Sequence, residues 1–340
     1  NFNEGEEINL ADLSGNGNDG TIYGATWSGD VPTPPVFGCT DTYADNYNSE
    51  ATSDDGSCSG YPDNGEYSLS FDGVNDDRVE LPPMDLSTNN AMTILTRFKT
   101  NSINTIYQVL IRAEGSVGIP WMLQLSDNLS IYEFGLGLNN DPNNYSELEY
   151  EISPEQISGQ WHYAAAVYDG NEKRIYLDEQ LVGSSVESGS ISYADDLSHY
   201  IGWLNNNHQF YGNIDELSIW NRSVSEMEIS NYNLGSDEVN TNGLVAQYKF
   251  NGGFGNILYD HSGNQNHGAI IGATWSDDVY VPPIPPVPGG NNSLSFDGED
   301  DRVVIPHSSD FDFSNQFTIQ GWFNHKSDMN ERYIITKGRD

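Results

Sequence analysis

The sequence predicts an all-β protein folded as an antiparallel β-sandwich, and three observations lead to that prediction. Short stretches of alternating apolar and polar residues recur along the 340 residues, each bounded by Gly, Asn, Asp or Pro. Aromatic residues make up 12% of the chain, which is more than a solvated disordered chain carries. A helical pattern is found in a single stretch, residues 223–229. Short strands with frequent turns indicate two packed sheets.

The net charge excludes two classes of partner. The chain has 13 Lys and Arg against 51 Asp and Glu, a formal charge of −38. A protein that follows phosphates needs a basic patch, so we predict no binding to nucleic acid or to anionic lipid. The longest apolar stretches fall short of 18 residues, so we also predict no membrane insertion. The acidity suits a secreted, extracellular protein in saline water, where ions screen such charge.

Strands are predicted at residues 68–71, 93–98, 163–168, 174–177 and 217–220. The helix is predicted to begin at Ser223, with Glu226 three residues later as in a capping box. Two Pro-rich runs, residues 31–36 and 281–288, are predicted to be extended connectors, because proline cannot enter a central strand.

The chain contains an internal repeat. Residues 2–28 return without a gap as residues 250–276, including Gly-Ala-Thr-Trp-Ser at 24–28 and again at 272–276. The hexapeptide Ser-Leu-Ser-Phe-Asp-Gly at 68–73 returns at 293–298, so the first copy holds 23 additional residues between these matches. Both cysteines lie in that insert. The repeat predicts a window from a tandem array.

The predicted domains follow from the repeat. Residues 1–235 form one domain that lacks its first strand and carries an insert at about 36–60. Residues 236–242 are a linker, and residues 243–340 are the first part of a second domain, with its Pro-rich connector at 281–288. A half-built second sheet would leave unpaired edges unless a strand from elsewhere completed it.

Five segments together resemble the LamG-like jelly-roll domains of the concanavalin A-like lectin/glucanase superfamily. They are Gly-Leu-Val-Ala at 243–246, Asp-Leu-Ser-Gly-Asn-Gly-Asn-Asp-Gly at 12–20, Leu-Ser-Phe-Asp-Gly at 69–73, and the runs at 161–170 and 211–222. The resemblance implies two stacked antiparallel sheets, frequently a structural calcium, and glycan binding or adhesion on secreted proteins. It does not imply a particular ligand.

Oxygen-bearing side chains alternate along a Gly-rich loop and its repeat, an arrangement that suits calcium. They are Asp12, Ser14, Asn16 and Asn18 in the first copy, with Asp260 and Asn264 in the second. The alternative is an Asx-rich turn whose side chains bond their own backbone. The resemblance implies a competing ligand set, Asp72 with Asp215.

Cys39 and Cys58 bracket a loop rich in carboxylates and amides. Because these are the only two cysteines and both lie in one short element, we predict a disulfide, which places the protein in an oxidising compartment. Two cysteines without a nearby histidine provide too few ligands for zinc. The loop, which includes Asp54 and Asp55, is weakly similar to the acidic, cysteine-bounded loops of thrombospondin type-3 repeats, which bind calcium.

A glycan surface is predicted from aromatic rings with amides nearby. The candidates are Trp121, Tyr132, Trp203 and Asn205, and the alternative for each ring is packing in the core or at its rim. Trp161 and Trp220 match core positions of the family and are assigned to packing.

No catalytic residue is predicted. Laminarinase-type hydrolases share the fold and hold their carboxylates on one strand, but the nearest match, Glu-Leu-Glu-Tyr-Glu at 147–151, lacks the central Asp. We therefore predict a secreted, non-enzymatic, calcium-stabilised module that binds carbohydrate or another cell-surface ligand. The alternative is a structural repeat of an extracellular filament, adhesin stalk or virion fibre, with further copies of itself as partners.

Overall fold

A computed structural model describes residues 8–281 except 75, 102–106, 142, 205–207 and 234–239, together with residues 294–296 and 302–303. The chain divides into two compact units, Asn1–Pro285 and Pro286–Asp340. The second unit lies almost wholly outside the described residues. Of residues 293–296, which repeat the strand at 68–71, the structure describes 294–296, and these are not in a strand.

The first unit contains eighteen strands and three short helices among its described residues. The strands are β1 (Asn9–Leu10), β2 (Gly20–Thr21), β3 (Ser68–Asp72), β4 (Arg78–Leu81), β5 (Met92–Thr100), β6 (Gln108–Gly115), β7 (Gly118–Ser126), β8 (Ile131–Gly137), β9 (Tyr145–Glu151), β10 (Trp161–Tyr168), β11 (Glu172–Leu177), β12 (Gln180–Val186), β13 (Ser198–Ile201), β14 (Tyr211–Trp220), β15 (Leu244–Tyr248), β16 (Ile257–Leu258), β17 (Gly268–Ile271) and β18 (Thr274–Ser276). The helices are a 3-10 turn (Ser87–Asn89), α1 (Pro154–Ile157) and α2 (Glu226–Asn233). Neither α-helix is long enough to cross a membrane.

Two large antiparallel sheets form the sandwich, which confirms the predicted fold class. The first sheet has the order β12-β11-β10-β5-β14-β3-β18, and β15 lies beside β14 on the same side as β3. The second sheet has the order β16-β17-β4-β13-β6-β7-β8-β9. The strands β1 and β2 form a separate hairpin. Each predicted strand lies within an observed one.

The core is formed by the side chains that alternate inward from the two sheets. On β8, Tyr132, Phe134 and Leu136 are fully buried, and the polar or small residues between them face outward. A smaller cluster, which includes Trp220 and Tyr232, packs α2 against the outer side of the first sheet. Because the first sheet is covered on both sides, β5 and β10 are buried almost throughout.

The helix begins later than the sequence predicts. Ser225, not Ser223, is the capping residue, because its hydroxyl accepts a hydrogen bond from the Glu228 backbone N–H at 3.3 Å. The Glu228 carboxylate in turn accepts the Ser225 backbone N–H at 2.8 Å. This is the reciprocal arrangement of a capping box, displaced by two residues from the predicted one.

The predicted boundary at residues 236–242 does not separate two domains in the structure. Strand β15 pairs with β14, β17 pairs with β4, and β18 pairs with β3, so strands on both sides of the boundary share the same sheets. The physical reason lies in the repeat. Residues 250–276 repeat residues 2–28, and their strands β17 and β18 pair with β4 and β3 of the sandwich.

His199 provides a test of the core by pH. It lies on β13 with no exposed surface, against the ring of Trp121, and burial lowers its pKa to about 4. In the unfolded chain the pKa is near 6.5, so the unfolded state binds the additional proton between pH 6.5 and 4. The free energy of unfolding should therefore fall by up to about 3 kcal/mol as the pH falls through this range.

Urea unfolding of the wild type and of His199→Leu at pH 7 and pH 4.5 checks this expectation. The variant should lose less stability on acidification than the wild type, whatever its stability at pH 7. An equal loss in both proteins would contradict the assignment.

Candidate functional site

The outward side of the second sheet carries a continuous set of polar and aromatic side chains, which we call the polar face. Their neighbours along each strand point into the core, as Val79 and Leu81 do on β4. The polar face comprises Arg78 and Glu80 on β4, Tyr200 on β13, Arg112 on β6, Gln124 on β7, Glu133 on β8, and Glu147 and Glu149 on β9. Five strand spacings separate β4 from β9, a width of about 24 Å.

Trp203 lies beside one end of this face, immediately after β13. Its indole N–H donates to Asp76 Oδ1 at 3.2 Å, and Gln209 donates to the same oxygen at 3.2 Å. The Arg78 guanidinium lies 5.0 Å from the indole centre, and the Tyr200 ring contacts it edge-on at 5.3 Å. The indole is partly exposed, and these contacts hold it in one orientation.

Three carboxylates meet at the other end of the face. Oxygen atoms of Glu133, Glu147 and Glu149 lie within 4.8 Å of one another. Glu133 is 3% exposed and accepts hydrogen bonds from Gln124 and from the Ser126 hydroxyl, the latter at 2.9 Å. Burial raises the pKa of Glu133, and the charges of Glu147 and Glu149 raise it further.

Two of the predicted ligand-binding rings are in the core, so their prediction as ligand contacts is wrong. Trp121 is 1% exposed and Tyr132 is 0% exposed. The Tyr132 hydroxyl donates toward the carbonyls of Ala165 and Tyr176, both at 3.2 Å, which ties the second sheet to the first. Asn205 lies outside the described residues. Of the predicted rings, Trp203 alone lies at the surface.

The loop at Asp260 has the geometry of the predicted alternative, an Asx turn. Asp260 is fully buried, and its two oxygens accept the backbone N–H groups of Gln247, Ser262 and Asn266 and the Ser262 hydroxyl, all at 2.8–2.9 Å. Four donors occupy the four lone-pair positions of a carboxylate. The Asn264 amide donates to the carbonyls of residues 244 and 245. This arrangement does not fit a cation.

The loop at Asp12 is hydrogen-bonded in the same way. Asp12 accepts the backbone N–H groups of Ser14 at 2.9 Å and Asn18 at 3.0 Å, and hydrogen bonds from these two residues lower its pKa to about 2. The Ser14 hydroxyl accepts from the Asn16 amide at 2.9 Å. Its polar atoms therefore also bond within the loop.

The ligand set that the resemblance implies, Asp72 with Asp215, does not come together. Asp72 pairs across the sheet with Tyr211 on β14. Asp215 lies four residues further along β14, about 13 Å from Tyr211. Asp215 is 3% exposed and lies opposite Arg97, and burial raises its pKa to about 8. The β-bulge in β14 follows directly, with Glu216 at a φ of 48°.

The predicted disulfide is present between Cys39 and Cys58. It closes a loop that has its own small buried cluster, formed with Ala44 and Tyr61. Asp55 accepts the Ser57 backbone N–H at 3.0 Å, as in an Asx turn. Asp54 lies in the same loop, and neither carboxylate joins a cluster of three or more metal-ligating groups among the described residues.

The insert contacts the second copy of the repeat through residues that the sequence did not single out. The His267 imidazole donates from Nε2 to Asp41 Oδ2 at 2.6 Å, and Asp41 is 4% exposed. Burial opposes the charge of Asp41, but the Tyr43 backbone N–H and His267 outweigh it and lower the pKa. The signal was available: residue 267 is histidine where the first copy has Asp19.

The two large antiparallel sheets form a β-sandwich that is consistent with a jelly roll of the concanavalin A-like type. Residues 72–230 match the family Laminin_G_3, described as the concanavalin A-like lectin/glucanases superfamily. The match begins in β3 and ends in α2, so β15–β18 lie beyond it.

Three solved structures are similar to parts of the chain. A putative carbohydrate binding protein from Bacteroides ovatus is 16% identical over 64% of this chain, with a TM-score of 0.47. A SAP-like pentraxin from Limulus polyphemus is 16% identical over 52% of this chain and 83% of its own, with a TM-score of 0.39. Domains LG4-5 of the mouse laminin alpha1 chain are 15% identical over 47% of this chain and 44% of theirs, with a TM-score of 0.35. The chain spans 61% of the Bacteroides ovatus protein. No curated protein matches the sequence.

Proposed function

We propose that this chain is a secreted, non-catalytic carbohydrate-binding module, and that its ligand contacts the polar face at Trp203. The observation that carries the proposal is the partly exposed indole of Trp203, held in place by Asp76, Arg78 and Tyr200. The disulfide supports an oxidising, extracellular location.

The geometry at Trp203 suits a sugar ring for a physical reason. A rigid aromatic ring offers a large apolar surface at a low entropic cost, and a sugar ring has an apolar side that can stack on it. Asp76 and Gln209 place an acceptor and a donor beside the indole, within reach of hydroxyl groups. The Arg78 guanidinium adds donors in a fixed planar arrangement.

The carboxylates at the other end of the face support binding more than catalysis. A retaining glycosidase needs an acid and a nucleophile that reach the glycosidic bond from about 5–5.5 Å apart. Glu133 is buried, and both of its oxygens accept hydrogen bonds from β7. Glu147 accepts a hydrogen bond from the Tyr145 hydroxyl at 2.9 Å. Two of the three carboxylates are therefore engaged by hydrogen bonds from the protein itself.

Trp203→Ala should weaken glycan binding at least tenfold, because aromatic anchors at the centre of a site contribute most of the affinity. A glycan array would first identify a ligand, and calorimetry would then compare the wild type with the variant. The matched control is Trp161→Ala: Trp161 is also partly exposed and donates its indole N–H to an aspartate, Asp278, at 3.0 Å, but it lies on the first sheet. Equal losses in both variants, or no glycan bound by the wild type, would contradict the proposal.

Calcium stays a prediction from the resemblance, since the Asp260 loop is occupied by its own donors. A thermal melt with EDTA and with added calcium distinguishes the two interpretations. A lower melting temperature in EDTA would support a bound ion, and an unchanged melt would leave Asx turns at these loops.

A second candidate function, a structural repeat in an extracellular assembly, is favoured by one observation. The sandwich is completed by strands from the second copy of the repeat, which is how adjoining repeats could be tied together. Electron microscopy of the purified chain would show regular polymers if this role is correct.

A further inference from the structure

Residues 243–276, which we call the completing segment, fill open edges of both sheets. Strand β15 pairs with β14 and β18 with β3 in the first sheet, and β17 pairs with β4 in the second. Tyr248, Phe250 and Leu258 of this segment are at most 1% exposed and belong to the main core. The segment is thus bound as a peptide is bound by strand addition, through backbone hydrogen bonds and buried side chains.

The chain contains a second segment of the same shape. In residues 8–28, which we call the N-terminal segment, β1 pairs with β2 and places Leu10 opposite Gly20. In the completing segment, β16 pairs with β17 and places Leu258 opposite Gly268. The register is identical 248 positions later, yet the N-terminal hairpin pairs with neither large sheet.

Within residues 256–276, which align with residues 8–28, the apolar positions that enter the core do not distinguish the two segments. Three buried apolar residues of this range have identical counterparts in the N-terminal segment: Leu258 and Leu10, Ile270 and Ile22, and Ala273 and Ala25. Ala246, Tyr248 and Phe250 are buried as well, but they precede this range. On the basis of the core alone, the sandwich would accept either sequence at these positions.

Positions that contact the disulfide loop distinguish them completely. We call Thr40, Asp41, Tyr43 and Tyr61 the insert patch. Four side chains of the completing segment contact this patch: Tyr259, His261, Gln265 and His267. The N-terminal segment has Ala11, Leu13, Gly17 and Asp19 at these four positions, so all four contacts differ.

The contact between Asp41 and His267 makes the difference decisive. His267 Nδ1 accepts the Asp260 backbone N–H at 2.9 Å, so its proton is on Nε2 and is donated to Asp41. With aspartate in place of His267, as at Asp19, two carboxylates would face each other at a site where Asp41 is 4% exposed. Like charges at that distance repel, and neither group has a proton to donate.

We propose that the insert patch is a selector, which makes the open edges of this sandwich a specific binding surface for a segment of the 243–276 type. This chain supplies the segment in the structure, and a second copy of the chain can supply it by exchange. The selector rejects the N-terminal sequence through the Asp41 position and through the loss of three side chains that pack on Tyr61, Tyr43 and Thr40.

A cleaved full-length chain tests the proposal. A site for a specific protease is placed in the linker between α2 and β15, and the cut chain, with all its residues still present, is incubated with a fluorescent peptide of residues 243–281. Fluorescence anisotropy then reports exchange of the peptide into the sandwich. The matched peptide carries Tyr259→Ala, His261→Leu, Gln265→Gly and His267→Asp, which are the residues of the N-terminal segment.

The wild-type peptide should exchange into the sandwich and bind at least about 100-fold more tightly than the matched peptide. The loss of several buried contacts would produce a difference of this size. A charge exchange serves as the rescue: a chain with Asp41→His should bind a peptide that carries only His267→Asp better than the Asp41 chain does. Equal binding of the two peptides, or a rescue that fails while both chains stay folded by circular dichroism, would overturn the selector. Failure of the wild-type peptide to exchange at any concentration would overturn the binding surface.

Discussion

Asp260→Ala should lower the free energy of unfolding by about 4 kcal/mol, because it removes the acceptor of four hydrogen bonds in a fully buried loop. Three backbone N–H groups, those of Gln247, Ser262 and Asn266, would be left without partners. For a domain of this size, the melting temperature should fall by roughly 10 °C. Differential scanning calorimetry of the variant against the wild type measures the change.

Asp12→Ala is the matched control, because Asp12 occupies the same position in the first copy of the repeat. Asp12 also accepts N–H groups within its own loop, but that loop lies at the surface of a separate hairpin. The cooperative melt of the sandwich should therefore be unchanged. If the two variants lost equal stability, the assignment of residues 243–276 rather than residues 8–28 to the sandwich would be wrong.

Trp121→Ala should cost about 3–5 kcal/mol, because it leaves a cavity the size of an indole in the main core. Trp121 is 1% exposed, lies between Ala113 and Leu136 on the neighbouring strands, and contacts the ring of His199. Chemical denaturation followed by circular dichroism measures the loss.

Trp203→Ala is the comparison for this effect, since the sequence predicted the same role for both rings. Removal of the partly exposed Trp203 should leave the denaturation midpoint close to that of the wild type, while Trp121→Ala shifts it strongly. If Trp121→Ala kept the denaturation midpoint of the wild type and lost glycan binding, Trp121 would be a ligand contact and not a core residue.

The sandwich could be predicted from alternation because that signal is local. Tyr132, Phe134 and Leu136 alternate with Glu133 and two glycines, and this pattern could also have placed Tyr132 in the core. The prediction of Tyr132 as a ligand contact did not use this alternation along β8. Trp121 was open to the same correction, since Gln124 and Ser126 occupy the opposite face of β7.

The polar face and the completing segment could not be predicted in the same way. Arg78 and Glu149 are 71 positions apart and belong to one surface only because five pairings of strands place β4 and β9 in one sheet. The competition between two similar segments depends on Asp41, whose partner, His267, is 226 positions away. Alternation assigns a side chain to a face, but it does not say which strands share that face.

The pairing of β18 with β3 has a consequence for synthesis on the ribosome. Leu69 pairs with Trp275, 206 positions later in the chain. The second sheet lacks β17 until residue 271 has emerged, and the first sheet lacks β18 until residue 276 has emerged. Contacts of such separation form late, since the entropy of closing the loop must be overcome first. For most of its synthesis the nascent domain therefore has exposed strand edges, and the high negative charge of the chain, −38, opposes association between neighbouring nascent copies during that interval.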